Sequence, residues 1–266
     1  MPCRVYIGTS GYSYADWRGV FYPPSLAQSS FLEFYSRRFP CVELNYTYYR
    51  MPDAETLSRM EQKTPAGFIF TIKAHREMTH EIDDVKAVEI CNLYLNALEP
   101  LARAGKLGCV LLQFPTSFHY TDANRRRLAK LLDMLSSLPL AVEFRGGDWL
   151  RDRVYTGLTK KNAAFVCVDE PALPGLIPPL EVVTADIGYV RFHGRNGENW
   201  WSGDSASRYD YRYTAAELGE WAPRLKKIAS ETEKAFVFMN NHWQGKAAEA
   251  AVMLKEILEN EGLETA

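Results

Sequence analysis

Short apolar runs recur along the chain, and most of them stop in polar side chains. Val5 to Gly8 runs into GTSGYS, and Cys41 to Leu44 breaks into Asn45, Tyr48 and Arg50, with Glu43 inside the run. FTIK closes on Lys73, LLQF carries Gln113, AVEFR carries Glu143 and Arg145, VRFHGR carries His193 and Arg195, and FVFMNN closes on Asn240 and Asn241. Runs of this length, rich in β-branched and aromatic residues, predict buried strands. Between them the apolar positions fall three or four apart, as in Phe31, Phe34, Tyr35; Leu57, Met60 behind a capping Asp53; Val88, Cys91, Leu95, Leu98; Leu128, Leu131, Leu132, Leu135; Leu150, Val154, Leu158; and Val252, Leu254, Ile257. That spacing predicts amphipathic helices. Thr214 and Glu217 have capping-box spacing ahead of Leu218, Trp221, Leu225 and Ile228.

Eight strand starts, near residues 5, 42, 68, 107, 140, 164, 189 and 236, leave about 33 residues per step, enough for a βαβ crossover each time. The exception is 170–186, where Pro171, Pro174, Pro178 and Pro179 forbid a full helix. The predicted fold is α/β: a TIM (β/α)8-type barrel of parallel strands, with an irregular crossover replacing the helix after strand 6. One domain over 1–266 is expected, and an open doubly wound sheet is the runner-up.

Composition is ordinary for a globular chain, with 47% hydrophobic and 24% charged residues. A net charge of -2 gives no global positive field for non-specific nucleic-acid binding. Cys3, Cys41, Cys91, Cys109 and Cys167 are scattered without a CxxC pair, so reduced thiols and a cytoplasmic location are expected. No window has the length of a signal peptide's apolar core or of a membrane span, so no membrane partner is expected. GTSGYS lacks the lysine of a phosphate loop and reads as a strand-to-loop turn.

Several ordered motifs, IGTSGYSYADWRGVFYP, VELNYTYYRMP, FIFTIKAHREMTH, LLQFPTSF, AVEFR followed by Trp149, VRFHGR and FMNN, cover nearly the whole chain. In these the sequence resembles the YecE-like family, domain of unknown function 72. The resemblance implies a TIM barrel and supplies no reaction, the family's activity being unassigned. Tyr12 stands where family members often carry tryptophan, and Gly146 where they often carry histidine after EFR.

In a barrel, polar groups at strand ends converge on one mouth. Glu43, Lys73, Glu143 and His193 are therefore the candidate catalytic groups. Asn45, Tyr48, Arg50, Gln113, Arg145, Arg195, Arg208, Asn240 and Asn241 are the candidate substrate-binding ones. Two carboxylates, Glu43 and Glu143, could divide acid and base roles, while mutual neutralisation with Lys73 and Arg145 is the purely structural alternative. Lys73 is read first as a cation gripping an anion, second as a base or Schiff-base amine. His193 is equally a general acid or base and an oriented hydrogen-bonding group; His75, His80 and His242 lie near loop starts. No metal and no cofactor is expected, because Lys73, Arg145 and Arg195 would repel a cation and no HxH or HExxH run exists. The aromatic and basic stretch with Trp200, Trp201, Arg208, Tyr209, Tyr211 and Tyr213 suggests a loop closing over a ligand. These groups fit a metal-independent hydrolase, lyase or isomerase for a small polar, hydroxylated or phosphorylated ligand. A phosphodiesterase-like barrel for nucleic acid is less favoured, and a non-catalytic anion-binding barrel is the third reading.

Overall fold

The computed structural model describes residues 3–202 and 205–266. Its eight apolar runs form parallel strands β1 Arg4–Ser10, β2 Cys41–Leu44, β3 Ile69–Lys73, β4 Leu107–Gln113, β5 Leu140–Glu143, β6 Ala163–Asp169, β7 Ile187–Phe192 and β8 Lys234–Met239. Each pairs with its sequence neighbour, and β8 pairs with β1, so the sheet closes in the order β1 to β8. Closure leaves no free strand edge, and the helices outside bury the second face of every strand. The predicted (β/α)8 barrel is what the chain forms.

The lower barrel interior is apolar and tightly filled. Tyr6 meets Phe236 with ring centroids 5.4 Å apart, and Tyr189 meets Phe238 at 5.4 Å. Gly108 is required there, since a Cβ at that position would come within 2.4 Å of Ile69 and 2.8 Å of Phe236. The helical layer follows the predicted stripes with local corrections. Asp53 caps the helix Ala54–Gln62 by accepting from the Thr56 amide at 2.8 Å. In the helix Ala87–Arg103 the buried stripe runs through Ile90, Cys91, Tyr94, Leu98 and Leu101, while Val88 is 53% exposed. The stripe is rotated because Tyr94, with its hydroxyl 3.4 Å from the Ile72 carbonyl, is the residue that packs on β3. Val252 likewise faces out of the terminal helix Lys246–Asn260, whose core contacts are Ala251, Leu254 and Leu258.

Thr214 and Glu217 form the expected capping box. The helix then breaks into Ala215–Gly219 and Ala222–Ser230, because Pro223 has no amide hydrogen to return to the Gly219 carbonyl. The crossover after β6 has no helix, as its prolines require. Its backbone is anchored by Thr184, whose hydroxyl donates to the Ala163 carbonyl at 2.7 Å and accepts from the Phe165 amide at 2.8 Å.

Candidate functional site at the barrel mouth

The site is built by alternation. Along β7 and its continuation, Tyr189, Arg191 and His193 point into the barrel, while Phe192 packs outward on Trp221 at 5.1 Å. Ser10 of β1 is in register with Glu43 of β2, Glu43 with Thr71 of β3, and Gln113 of β4 with Glu143 of β5. Polar side chains from six strands therefore meet above the apolar filling.

Arg191 is the centre of this layer. Its Nη2 lies 2.7 Å from Glu43 Oε1 and its Nη1 2.6 Å from Glu143 Oε2, with all three residues buried. The Tyr189 hydroxyl donates to Glu43 Oε2 at 2.7 Å and stands 3.1 Å from the Thr71 hydroxyl. Glu143 Oε1 faces Arg145 Nε at 2.8 Å, and Arg145 Nη1 reaches Glu170 Oε2 at 3.4 Å. Carboxylates and guanidiniums thus alternate from Glu43 through Arg191, Glu143 and Arg145 to Glu170. Buried charges survive only in such paired arrays. Burial alone would push the Glu143 carboxyl up, but Arg145, Arg191 and His193 outweigh it and hold the group well below the usual carboxylate range. At the end of the array burial wins: it raises the Glu170 carboxyl to about 7 against the pull of Arg145.

His193 sits beside Glu143, fully buried. Asn240 Nδ2 approaches its Nδ1 at 3.0 Å; with the amide as donor, the neutral ring carries its proton on Nε2. That nitrogen is 3.4 Å from Glu143 Oε1. Neither atom makes a hydrogen bond, since the approaches of Arg145 and His193 to Oε1 are close but poorly directed. Burial, then the neighbouring Arg145, lowers the imidazole to about 3, so it is neutral near pH 7. Trp200 and Tyr209 cover the ring with centroids at 6.4 and 6.2 Å.

Lys73 ends β3 on the other side of the mouth. Its Nζ donates to Gln113 Oε1 at 2.7 Å and lies 4.5 Å from the centre of the Tyr48 ring. Burial, then Arg191, lowers its ammonium to about 7, with Glu143 and Glu43 opposing the shift. His80, edge-on to Tyr48 at 4.8 Å, is lowered to about 4 by burial and then by Lys73.

Glu43, Lys73, Gln113, Glu143, Arg145, His193 and Asn240 are thus gathered as the pattern anticipated, with Tyr48 stacked beside Lys73. Asn45 and Asn241 are nearby strand-end residues, and each has a buried side-chain oxygen without a hydrogen bond, while Asn241 Nδ2 donates to the Tyr211 carbonyl at 2.9 Å. Arg50 is exposed beyond the short helix Tyr46–Tyr49. Arg208 ends the helix Ser205–Arg208 in the β7 loop; residues 203–204 of that loop lie outside the described residues.

Arg195 is placed elsewhere. It forks onto Asp169 at 2.8–3.2 Å and reaches Glu220 at 2.9 Å, behind the barrel wall where Tyr213 and Trp221 also donate to Asp169. Its partner Asp169 is the outward residue of β6, so the guanidinium ties β6 and β7 to the helix layer. Arg191, Tyr189 and Glu170 are the site residues the motifs concealed. Strict alternation from His193 back to Arg191 and Tyr189 was the available signal; for Glu170, beyond the strand end, there was none.

Gly146 stands beside Asp148: a Cβ there would approach Asp148 Oδ1 at 2.8 Å, an oxygen buried without a partner. A separate cavity of about 720 Å³ opens between the helices Asp122–Met134 and Asp152–Thr159, rimmed by Arg125, Arg126, Arg153, Lys160 and Lys161. None of the titratable side chains that line it is buried. Among the described residues, no three His, Cys, Asp or Glu side chains cluster as metal ligands, and no helix is long and apolar enough to cross a membrane.

Comparison with known proteins agrees with this architecture. The model of the family described as protein of unknown function DUF72 matches residues 6–266. The chain belongs to the DUF72 family. This DUF72 chain is 31% identical over 273 residues to the UPF0759 protein YunF of Bacillus subtilis (strain 168), covering 97% of this chain and 95% of YunF. It is 31% identical over 135 residues to the UPF0759 protein YecE of Escherichia coli (strain K12), covering 51% and 44%. Among solved structures, a DUF72 family protein from Thermotoga maritima MSB8 is 38% identical with a TM-score of 0.86, covering 96% of this chain and 99% of that one. One from Enterococcus faecalis V583 is 26% identical with a TM-score of 0.84, covering 96% and 95%.

Proposed function

We propose that this DUF72 protein is an enzyme acting on a polar, hydroxylated or phosphorylated small molecule by acid/base chemistry at the carboxyl-end mouth of its barrel. The observation that carries this reading is the facing pair His193 Nε2 and Glu143 Oε1, 3.4 Å apart and buried, neither in a well-directed hydrogen bond although Oε1 is ion-paired with Arg145. A buried imidazole N–H without a well-directed acceptor costs about 1–3 kcal/mol. A hydroxyl that accepts from Nε2–H and donates to Oε1 satisfies both. In this reading His193 and Glu143 orient the substrate, while Lys73 and Glu170, each moved to about 7, exchange protons near neutral pH. Glu43 is a brace, because Arg191 occupies the space between it and Glu143. The same guanidinium argues against a glycosidase-type carboxylate pair, which needs that space for the sugar or water.

Anion binding rests on Lys73, since the arginines of the array are already neutralised. For nucleic acid, the unpaired cations would have to line the mouth, whereas the basic rim lies on the barrel flank. A reducing cytoplasm belongs to the same proposal, supported by free thiols at Cys41, Cys91, Cys109 and Cys167, all buried.

The test is a panel of polyols, sugars and sugar phosphates, scored by thermal shift and by NMR for turnover. A member that raises the melting temperature and is converted, with both effects lost in His193→Asn, is the expected result. A shift without turnover would indicate a non-catalytic binding barrel. A panel with no active member, or binding indifferent to His193→Asn, would overturn the proposal.

A further inference from the structure

The two arginines packed beside Lys73 in the barrel mouth are matched by carboxylates. Arg191 has Glu43 and Glu143, and Arg145 has Glu143 and Glu170. Lys73 has none within ion-pair distance among the described residues. Its partners are a neutral amide oxygen at 2.7 Å and the face of Tyr48 at 4.5 Å. The amide oxygen and the ring face ease an ammonium, but with no carboxylate to offset its desolvation the neutral amine is favoured there. The amide is also fixed in orientation: Gln113 Nε2 donates to the Phe114 carbonyl at 2.7 Å, which turns Oε1 toward Nζ. A neutral amine giving one hydrogen to that oxygen has its lone pair directed elsewhere. The residue keeps partial solvent access at the strand end, so a ligand in the mouth can reach it.

We propose that Lys73 is an amine nucleophile that condenses with the carbonyl carbon of a small hydroxylated aldehyde or ketone. This deepens, and rests on, the reading of the mouth as a site for hydroxylated molecules. The Nζ lone pair forms the C–N bond as the carbonyl π bond breaks, and an N–H proton passes to the former carbonyl oxygen, giving a carbinolamine. The hydroxyl then takes up a proton from solvent and leaves as water while the nitrogen lone pair completes the C=N bond, and the resulting iminium returns its remaining N–H proton to solvent to give the neutral Schiff base. Arg191 and Arg145, which both oppose protonation of Lys73, keep the amine nucleophilic near pH 7. No oxidant or reductant is needed.

The experiment uses the full chain at neutral pH with dihydroxyacetone or glyceraldehyde as probe and sodium cyanoborohydride to trap the imine, followed by peptide mapping. A lysine half-neutral at pH 7 presents at least about a hundredfold more free amine than an ordinary one. Labelling of Lys73 should therefore exceed that of the average surface lysine by about tenfold or more, and the adduct should vanish in Lys73→Arg while circular dichroism stays unchanged. Acetic anhydride labelling against pH supplies the control if the arginine variant does not fold. A Lys73 that acetylates readily at pH 7 yet takes up no carbonyl probe would overturn the Schiff base, as would labelling spread evenly over the lysines. Ligand-dependent thermal shifts abolished by His193→Asn, with Lys73 unlabelled, would sink this inference alone and leave the acid/base site standing. Loss of the shifts and the labelling together would remove both.

Discussion

Replacing Lys73 by methionine should stabilise the protein, and by an amount that depends on pH in a defined way. The native ammonium is lowered from 10.5 to about 7, so between those values the unfolded chain binds a proton that the native chain does not. For a base whose native pKa is depressed, stability rises as pH climbs through that window and the cost is complete below it. A shift of about three and a half units corresponds to about 5 kcal/mol, of which about 4 is felt at pH 7 and about 1.5 at pH 9.5. Methionine fills similar space without this penalty, but it strips Gln113 Oε1 of its donor, a loss of about 1–3 kcal/mol at either pH. The variant should therefore gain about 2 kcal/mol at pH 7, and its advantage should shrink by about 3 kcal/mol toward pH 9.5. Urea unfolding followed by tryptophan fluorescence, in reductant at both pH values, measures the two differences. All shared titrations cancel in the comparison. A parent-to-variant gap that is the same at both pH values would mean that the native lysine stays charged throughout, and the argument for a neutral amine would collapse.

Three further outcomes follow from the same array. Glu143→Gln leaves Arg145 and Arg191 short of a carboxylate and should cost about 3–5 kcal/mol in urea unfolding; a loss below about 1 kcal/mol would show that the array is not held by this residue. Glu170, raised to about 7, favours its protonated form in the native state, so its contribution should fall as pH rises from 4.5 through 7, by about 3 kcal/mol. Glu170→Gln should flatten that part of the stability profile, and an unchanged slope would contradict the assignment. His193, lowered to about 3, must gain its proton on unfolding below pH 6.5, so about 2 kcal/mol of stability should be lost by pH 5. His193→Asn should remove that loss, and an imidazole that titrates near 6.5 by NMR in the native protein would refute the burial argument.

How much of this was legible in the sequence depends on which physical rule each residue obeys. The strands were visible because parallel strands are buried on both faces and so appear as continuous apolar runs. The irregular crossover was visible because four prolines cannot sit in a helix. Val88 and Val252 were misplaced because apolar spacing alone leaves a helix free to rotate by a residue, and only tertiary contacts such as Tyr94 on β3 fix the angle. The break at Pro223 was overridden in the reading by the strong capping signal at Thr214, nine residues earlier.

The site was legible only as far as alternation reaches. Arg191 and Arg195 stand four positions apart in one motif, and both look like anion-binding groups from composition. Period two puts Tyr189, Arg191 and His193 on one face of the strand. Past the end of β7 the rule lapses: Gly194, in a left-handed conformation at φ 88°, turns the chain, and Arg195 forks onto Asp169 on the outer side. Charge at a strand end therefore divides into two kinds, and pairing separates them better than position does. Arg191 and Arg195 are both paired with carboxylates and hold strands together, although Arg191 Nε makes no hydrogen bond. Lys73, His193 and Glu143 Oε1 retain unused hydrogen-bonding or nucleophilic capacity in buried surroundings, a state whose cost a folded chain can offset only by contacts elsewhere. In the proposed reading, that residual capacity is what would distinguish a reactive mouth from a merely neutralised barrel interior.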